Sequence, residues 1–158
     1  MIKKYNRRLI ITTLASLLLS GTVGQSAHAF SGSDSVTMPN TKVKLQANAW
    51  SPNFISGGKV DFATSSKTTL NGNVAYSSTI KNTATVEARG ISASISLSGP
   101  NVTGSKSSKS ISWTNNNSWI SDLSGRASYG GVTFSVHVNS AAFAVYKGSV
   151  KYVDVWSW

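Results

Sequence analysis

Apolar side chains recur at every second position through most of this chain, and that period commits it to strands buried on one face. The clearest run is "GVTFSVHVN", where Val132, Phe134, Val136 and Val138 alternate with Thr133, Ser135, His137 and Asn139. One core face and one wet face are expected there, with His137 on the wet side. "TKVKLQANAW" sets Val43, Leu45, Ala47 and Ala49 against Lys42, Lys44, Gln46 and Asn48 in the same way, and "GKVDFAT" reads as another strand. No convincing helical period follows residue 29.

Within "NGNVAYSSTIKNTATVEARGISASISLSG" the apolar parity is even from Val74 through Tyr76, Ile80, Ala84, Val86 and Ala88, then odd at Ile91, Ala93, Ile95 and Leu97. A one-residue slip turns every side chain to the opposite face, so the chain must bulge or turn sharply at Arg89-Gly90. Turn chemistry marks further breaks at Ser56-Gly57-Gly58, Asn71-Gly72-Asn73, Ser98-Gly99-Pro100-Asn101, Asn115-Asn116-Asn117, Tyr129-Gly130-Gly131 and Lys147-Gly148. Seven to nine short strands result. The expected fold is all-β: a single antiparallel sandwich, Ig-like or jelly-roll-like, or a partly open barrel.

The first segment carries Lys3, Lys4, Arg7 and Arg8, an apolar run from Leu9 to Leu19, and Ala27-His28-Ala29. This is the pattern of a secretory signal peptide, residues 1–29, cleaved after Ala29. The apolar run is shorter than the roughly 20 residues that cross a bilayer, so no transmembrane segment is expected in the mature form. Residues 30–158 then make one secreted domain, with 30–41 a flexible lead-in and "NVTGSKSSKS" an exposed loop or polar edge strand. The chain has no Cys, so burial and hydrogen bonding must stabilise an exported product unaided.

Cleavage would remove four basic residues, leaving 11 basic against five acidic and a net charge of +6. A cationic domain is drawn to anionic partners: a cell-wall polymer, a polysaccharide or a membrane surface. Nucleic acid is not expected, because the lysines are scattered singly and only Arg89 and Arg126 remain.

No catalytic constellation stands out. His137 is the one mature histidine, so paired-imidazole metal sites are excluded, and no nucleophile-elbow pattern surrounds any serine. Asp34, Asp61, Glu87, Asp122 and Asp154 are each isolated in sequence. No phosphate-cradling glycine loop or calcium-loop spacing occurs, and no cofactor or metal is expected.

The aromatic content is more informative. All five tryptophans, Trp50, Trp113, Trp119, Trp156 and Trp158, follow the leader. In "WTNNNSW", a turn at Asn115, Asn116 and Asn117 would set Trp113 opposite Trp119 on adjacent strands, stapling a hairpin or presenting two rings beside amides to a sugar. In "VKYVDVWSW" both parities carry apolar groups, as in a central strand or one covered by a partner, with Trp156 and Trp158 acting as latch or contact surface. The candidate ligand residues are therefore Trp113, Asn115, Asn116, Asn117, Trp119, Trp156 and Trp158.

These features point to a non-enzymatic secreted module that associates with the cell envelope, extracellular matrix or a polysaccharide. The alternative is a cationic antimicrobial or toxin-like protein acting on anionic membranes or cell-wall precursors. An inhibitor presenting the 115–118 loop is also compatible. N-terminal sequencing of the product recovered from culture medium is expected to begin at Phe30; retention of residues 1–29 would exclude the assigned cleavage.

Overall fold

The computed structural model describes residues 29–52, 55 and 57–157. Residues 1–28 of the expected leader, Ser56 of the Ser56-Gly57-Gly58 break and Trp158 lie outside those residues. Among the described residues nine strands run in chain order: β1 (Ala29–Thr37), β2 (Val43–Pro52), β3 (Lys59–Leu70), β4 (Asn73–Val74), β5 (Ser77–Leu97), β6 (Thr103–Gly104), β7 (Ser108–Ser118), β8 (Ile120–Tyr146) and β9 (Ser149–Trp156). All pairings are antiparallel, in the order β1-β2-β3-β8-β5-β7-β6, with β4 added to β3 and β9 to β8. The result is one continuous sheet that does not close but folds over on itself, as an all-β sandwich or open barrel does.

The fold-over depends on β5 and β8, 21 and 27 residues long. β8 pairs with β3 through residues 120–128, then follows β5 and finally pairs with β9 through residues 139–146. Each long strand changes the face it buries part-way along. β5 buries even positions from Ile80 to Ala88 and odd ones at Ala93 and Ile95. β8 buries odd positions at Ser121 and Ala127 and even ones from Val136 to Ala144. Their shared ladder slips at matching places, between Arg89 and Gly90 and between Ile91 and Ser94. The bulge expected at Arg89-Gly90 is present.

The parity change in β8 was not expected, and it corrects the reading of "GVTFSVHVN". Val136 and Val138 are buried, whereas Val132 and Phe134 lie exposed on the other side of the slip. An unbroken run of apolar residues at even positions masks a strand that has changed faces. Val74 and Tyr76 are exposed for a related reason: the Asn71-Gly72 turn and the two-residue β4 precede β5, and Ala75 and Ser77 take the buried places. Residues 30–41 are likewise not a lead-in. Residues 29–37 form a full ladder with β2, and Met38 is buried. A strand supplied with backbone partners does not need an apolar pattern of its own.

Two apolar clusters fill the interior. One gathers Val60, Phe62, Ala84, Val86, Ala88, Ile95, Ala127, Val136 and Val138, among others, and the second gathers Met38, Val43, Leu45, Ile80, Ala142, Ala144 and Val153. A buried polar group crosses the interior between the facing layers: Asn82 donates to Thr64 Oγ1 at 2.8 Å and accepts from Ser140 Oγ at 3.1 Å. Ser66 Oγ donates to the Lys81 carbonyl at 3.1 Å. Among the described residues no buried side-chain nitrogen or oxygen lacks a partner, which spares this belt the desolvation penalty of unpaired groups.

Gly90 is the residue that permits the corner. Its φ is +156°, and a Cβ there would overlap the Val132 carbonyl oxygen and crowd the Thr133 Cα at 2.9 Å. Both contacts are backbone atoms that cannot swing aside. Gly90→Ala is therefore expected to destabilise the fold by about 2–4 kcal/mol, read as a lower midpoint in urea. An unchanged midpoint would show that the corner tolerates a side chain.

Candidate functional site

The outward face of β1, β2, β3 and the first part of β8 carries a polar ladder with one large aromatic on it. Register sets Ser31, Trp50, Ala63 and Ser124 in one row, and Ser33, Asn48, Ser65 and Asp122 in the next. Ser35, Gln46, Lys67 and Ile120 follow. The first two rows, with Lys67 and Ile120 of the third, line an open depression of about 580 Å³. Trp50 is 39% exposed, so a substantial part of its ring is available to a ligand.

The amides around it are held in place. Asn48 Oδ1 accepts from Ser33 Oγ at 2.9 Å and from Gln46 Nε2 at 2.9 Å, while Asn48 Nδ2 donates to Ser65 Oγ at 3.1 Å. Gln46 Nε2 also donates to Ser33 Oγ at 2.8 Å. Lys67 and Asp122 add one charge of each sign, and among the described residues Asp122 is the single carboxylate lining the depression. An apolar plate beside oriented amides, hydroxyls and a few charges suits a polyhydroxylated ligand lying across the strands. Sequence reasoning did not select Trp50 as a ligand residue. The signal available was its position: Trp50 shares the parity of Lys44, Gln46 and Asn48, the wet side of that strand.

The aromatic residues selected from the sequence are not assembled as expected. Asn115, Asn116 and Asn117 do not make a turn; they continue β7, whose partner is β5, with Asn115 opposite Ile80 and Trp113 opposite Asn82. The chain turns at Trp119 instead, and β8 departs to pair with β3. Trp113 and Trp119 therefore do not face one another across a hairpin. Asn115 serves the backbone at this corner. Asn115 donates through Nδ2 to the Ile120 carbonyl at 2.9 Å and accepts the Trp113 indole N–H at 2.9 Å. Ser118 Oγ accepts from Ile120 N at 3.2 Å and donates to Ile120 O at 2.9 Å. Short polar side chains that bond nearby backbone supply a corner without a glycine.

Trp113 is half exposed, and its indole N–H is already engaged by Asn115. Trp119 is partly buried and its carbonyl accepts from Thr68 N at 2.9 Å. Trp156 is also partly buried and stands on β9 opposite Asn139, away from the β7 segment. Trp158 lies outside the described residues.

Among the described residues β9 has a ladder with β8 alone, so it is neither a central strand nor one apolar on two buried sides. Val153 points inward, while Val150 and Tyr152 are exposed. Burial, and then the neighbouring Asp154 carboxylate, push the Tyr152 hydroxyl above the usual phenol range. The latch among the described residues is Ser157. Its N–H donates to the Val138 carbonyl at 2.7 Å, its Oγ accepts from Val138 N at 2.9 Å, and its Oγ pairs with Ser51 Oγ at 2.8 Å. Its carbonyl lies 3.1 Å from His137 Nδ1.

His137 is accordingly buried, 9% exposed, rather than on a wet face. The terminal strand covers the face that alternation had assigned to solvent. A carbonyl can only accept, so Nδ1 carries the proton, and in the neutral ring Nε2 accepts from Ser135 Oγ at 3.0 Å. This resembles the serine–base half of a triad, but the orienting group is a backbone carbonyl rather than a carboxylate. Its evident effect is to fasten the C-terminal strand to β8. Among the described residues, no group of three or more His, Cys, Asp or Glu is arranged to hold a metal ion.

No family model matches this chain, and no curated protein matches it. The site's chemistry therefore rests on its geometry. Ser157→Ala would strip a partner from the buried Val138 N–H and from Ser51, at a cost of about 1–3 kcal/mol. The melting temperature is expected to fall by several degrees. A melting temperature equal to that of the parent would remove Ser157 as the latch.

Proposed function

We propose that the protein is an exported, non-catalytic β-module that binds polysaccharide of the cell envelope or extracellular matrix through the Trp50 face. The observation that carries this reading is the exposed Trp50 ring beside the hydrogen-bonded Asn48 amide, in a depression that Ser31, Ser33, Ser65 and Ser124 also line. Sugar rings present one apolar face of C–H groups and an equatorial rim of hydroxyls, and a fixed plate with oriented amides complements both. The amides are already ordered by Ser33 and Ser65, so little side-chain freedom remains to be lost on binding.

Among the described residues Asp122 is the one carboxylate in the depression, which favours holding a glycan over cutting one, because hydrolysis of a glycosidic bond ordinarily takes two carboxyl groups astride it. The surplus of basic residues supports an anionic polymer within this class. That surplus also makes the interaction dependent on salt.

The test is sedimentation of residues 30–158 with cell walls and insoluble glycans across a salt series. Retention at low salt is expected, and Trp50→Ala should weaken it about tenfold, equivalent to ~1.4 kcal/mol. Trp113→Ala should leave binding unchanged. Failure to bind any of these materials at low salt, or full binding by Trp50→Ala, would overturn the reading.

A further inference from the structure

The corner of β5 and β8 exposes three large apolar side chains: Ile91 is 66% exposed, Val132 56% and Phe134 68%. None belongs to either apolar cluster. Ile91 and Val132 are direct partners in the ladder and therefore share a face. Phe134 is the extra residue of the slip, lying between Thr133, the partner of Gly90, and Ser135, the partner of Arg89. Bulges re-aim side chains.

The corner also projects. Ala88 N donates to the Ser107 carbonyl at 2.9 Å, and Ile95 N donates to the adjacent Lys106 carbonyl at 2.8 Å. A seven-residue step that would span about 23 Å in a straight strand is thus drawn together at its ends. The stretch between must bow outward, carrying Ile91 with it. Holding this shape requires a positive φ at Ser92 (53°), a state that a non-glycine residue keeps only where the surroundings enforce it, and at Gly131 (73°), which glycine adopts freely.

The charge around the corner is mainly cationic. Residues 88–110 and 127–138 contain Arg89, Lys106 and Lys109 and no Asp or Glu. Lys106 and Lys109 share a depression with Ser94 and Gly130, which flank the slip on the two strands. Just outside this region, Glu87 pairs with Arg89 at 3.1 Å.

We propose that this corner is a contact surface for an anionic lipid bilayer. Ile91, Val132 and Phe134 enter the boundary between headgroups and acyl chains while Lys106 and Lys109 meet lipid phosphates. Apolar tips in front of a cationic rim match the two layers that a bilayer presents in depth, apolar below and anionic above. A polysaccharide offers no acyl layer for three such side chains, so this surface is separate from the Trp50 face and does not depend on it.

The absence of Cys from the chain allows a clean test. Phe134→Cys carries an environment-sensitive nitrobenzoxadiazole label, and Ser33→Cys carries the same label on the opposite layer as reference. Each is titrated with vesicles of phosphatidylglycerol and phosphatidylcholine in equal parts, and with phosphatidylcholine alone. The label at 134 is expected to brighten and shift to the blue with the anionic vesicles only, an effect that weakens as salt rises. The label at 33 should not respond. The unlabelled double variant Ile91→Ser, Phe134→Ser should sediment with anionic vesicles at least about tenfold more weakly while keeping the parent circular dichroism spectrum. No association with anionic vesicles, equal association with neutral ones, or a label at 134 that stays in water while the protein is bound would overturn the proposal. Any of these outcomes leaves glycan binding by the Trp50 face to be judged by its own assay.

Discussion

The fold rests on two long strands changing faces at the same place. A side chain in a strand has only two directions to point, so a strand that crosses from one layer to another must exchange its buried and exposed sets or leave apolar groups in water and polar groups in the core. β5 and β8 are ladder partners, and neither could slip alone without losing hydrogen bonds to the other. Their slips are matched, and Gly90 and Gly131 occupy points where a Cβ would overlap backbone of the partner strand. With the corner in place, one continuous sheet can cover its own apolar face and enclose a core without a second sheet or a helix.

The interior made this way is not uniformly apolar. Two hydrophobic clusters carry most of the burial, and Asn82, Thr64 and Ser140 tie the facing layers with hydrogen bonds. Such a group is costly unless each member is satisfied, and here each is, so it favours one alignment of the layers over a slipped one. The C-terminal end works by the same rule. Ser157 and His137 contribute little apolar area, but the polar atoms of Ser157 and the Nδ1 of His137 have partners that only this docking supplies.

The two surfaces singled out for function follow from the corner as well. Folding the sheet over turns one side of β1, β2 and β3 outward as a flat field of hydroxyls and amides with Trp50 on it. The bend itself exposes Ile91, Val132 and Phe134, which the core does not use. Apolar groups left in water at a position held by strained backbone are not accounted for by stability, and they mark the projecting end of the molecule as a place of contact.

The sequence by itself determined the strand class, the inward sets of β2 and of the first part of β5, the bulge at Arg89-Gly90, and the turns at Asn71-Gly72 and Lys147-Gly148. Each of these is a local matter of period two or of turn chemistry, readable from neighbours in the chain. Tertiary structure alone decided which strands pair. The partner of β7 is β5 and not the strand that follows it, so the asparagines extend a strand, and the rings of Trp113 and Trp119 part company. Residues 29–37 are ordered by hydrogen bonds to β2, a constraint that leaves no mark on side-chain pattern. His137 is buried because the C-terminus folds over it, and the face change in β8 is masked by exposed valine and phenylalanine at the parity of the core. Alternation reports how many faces of a strand are apolar; only the arrangement of distant segments decides which face meets water.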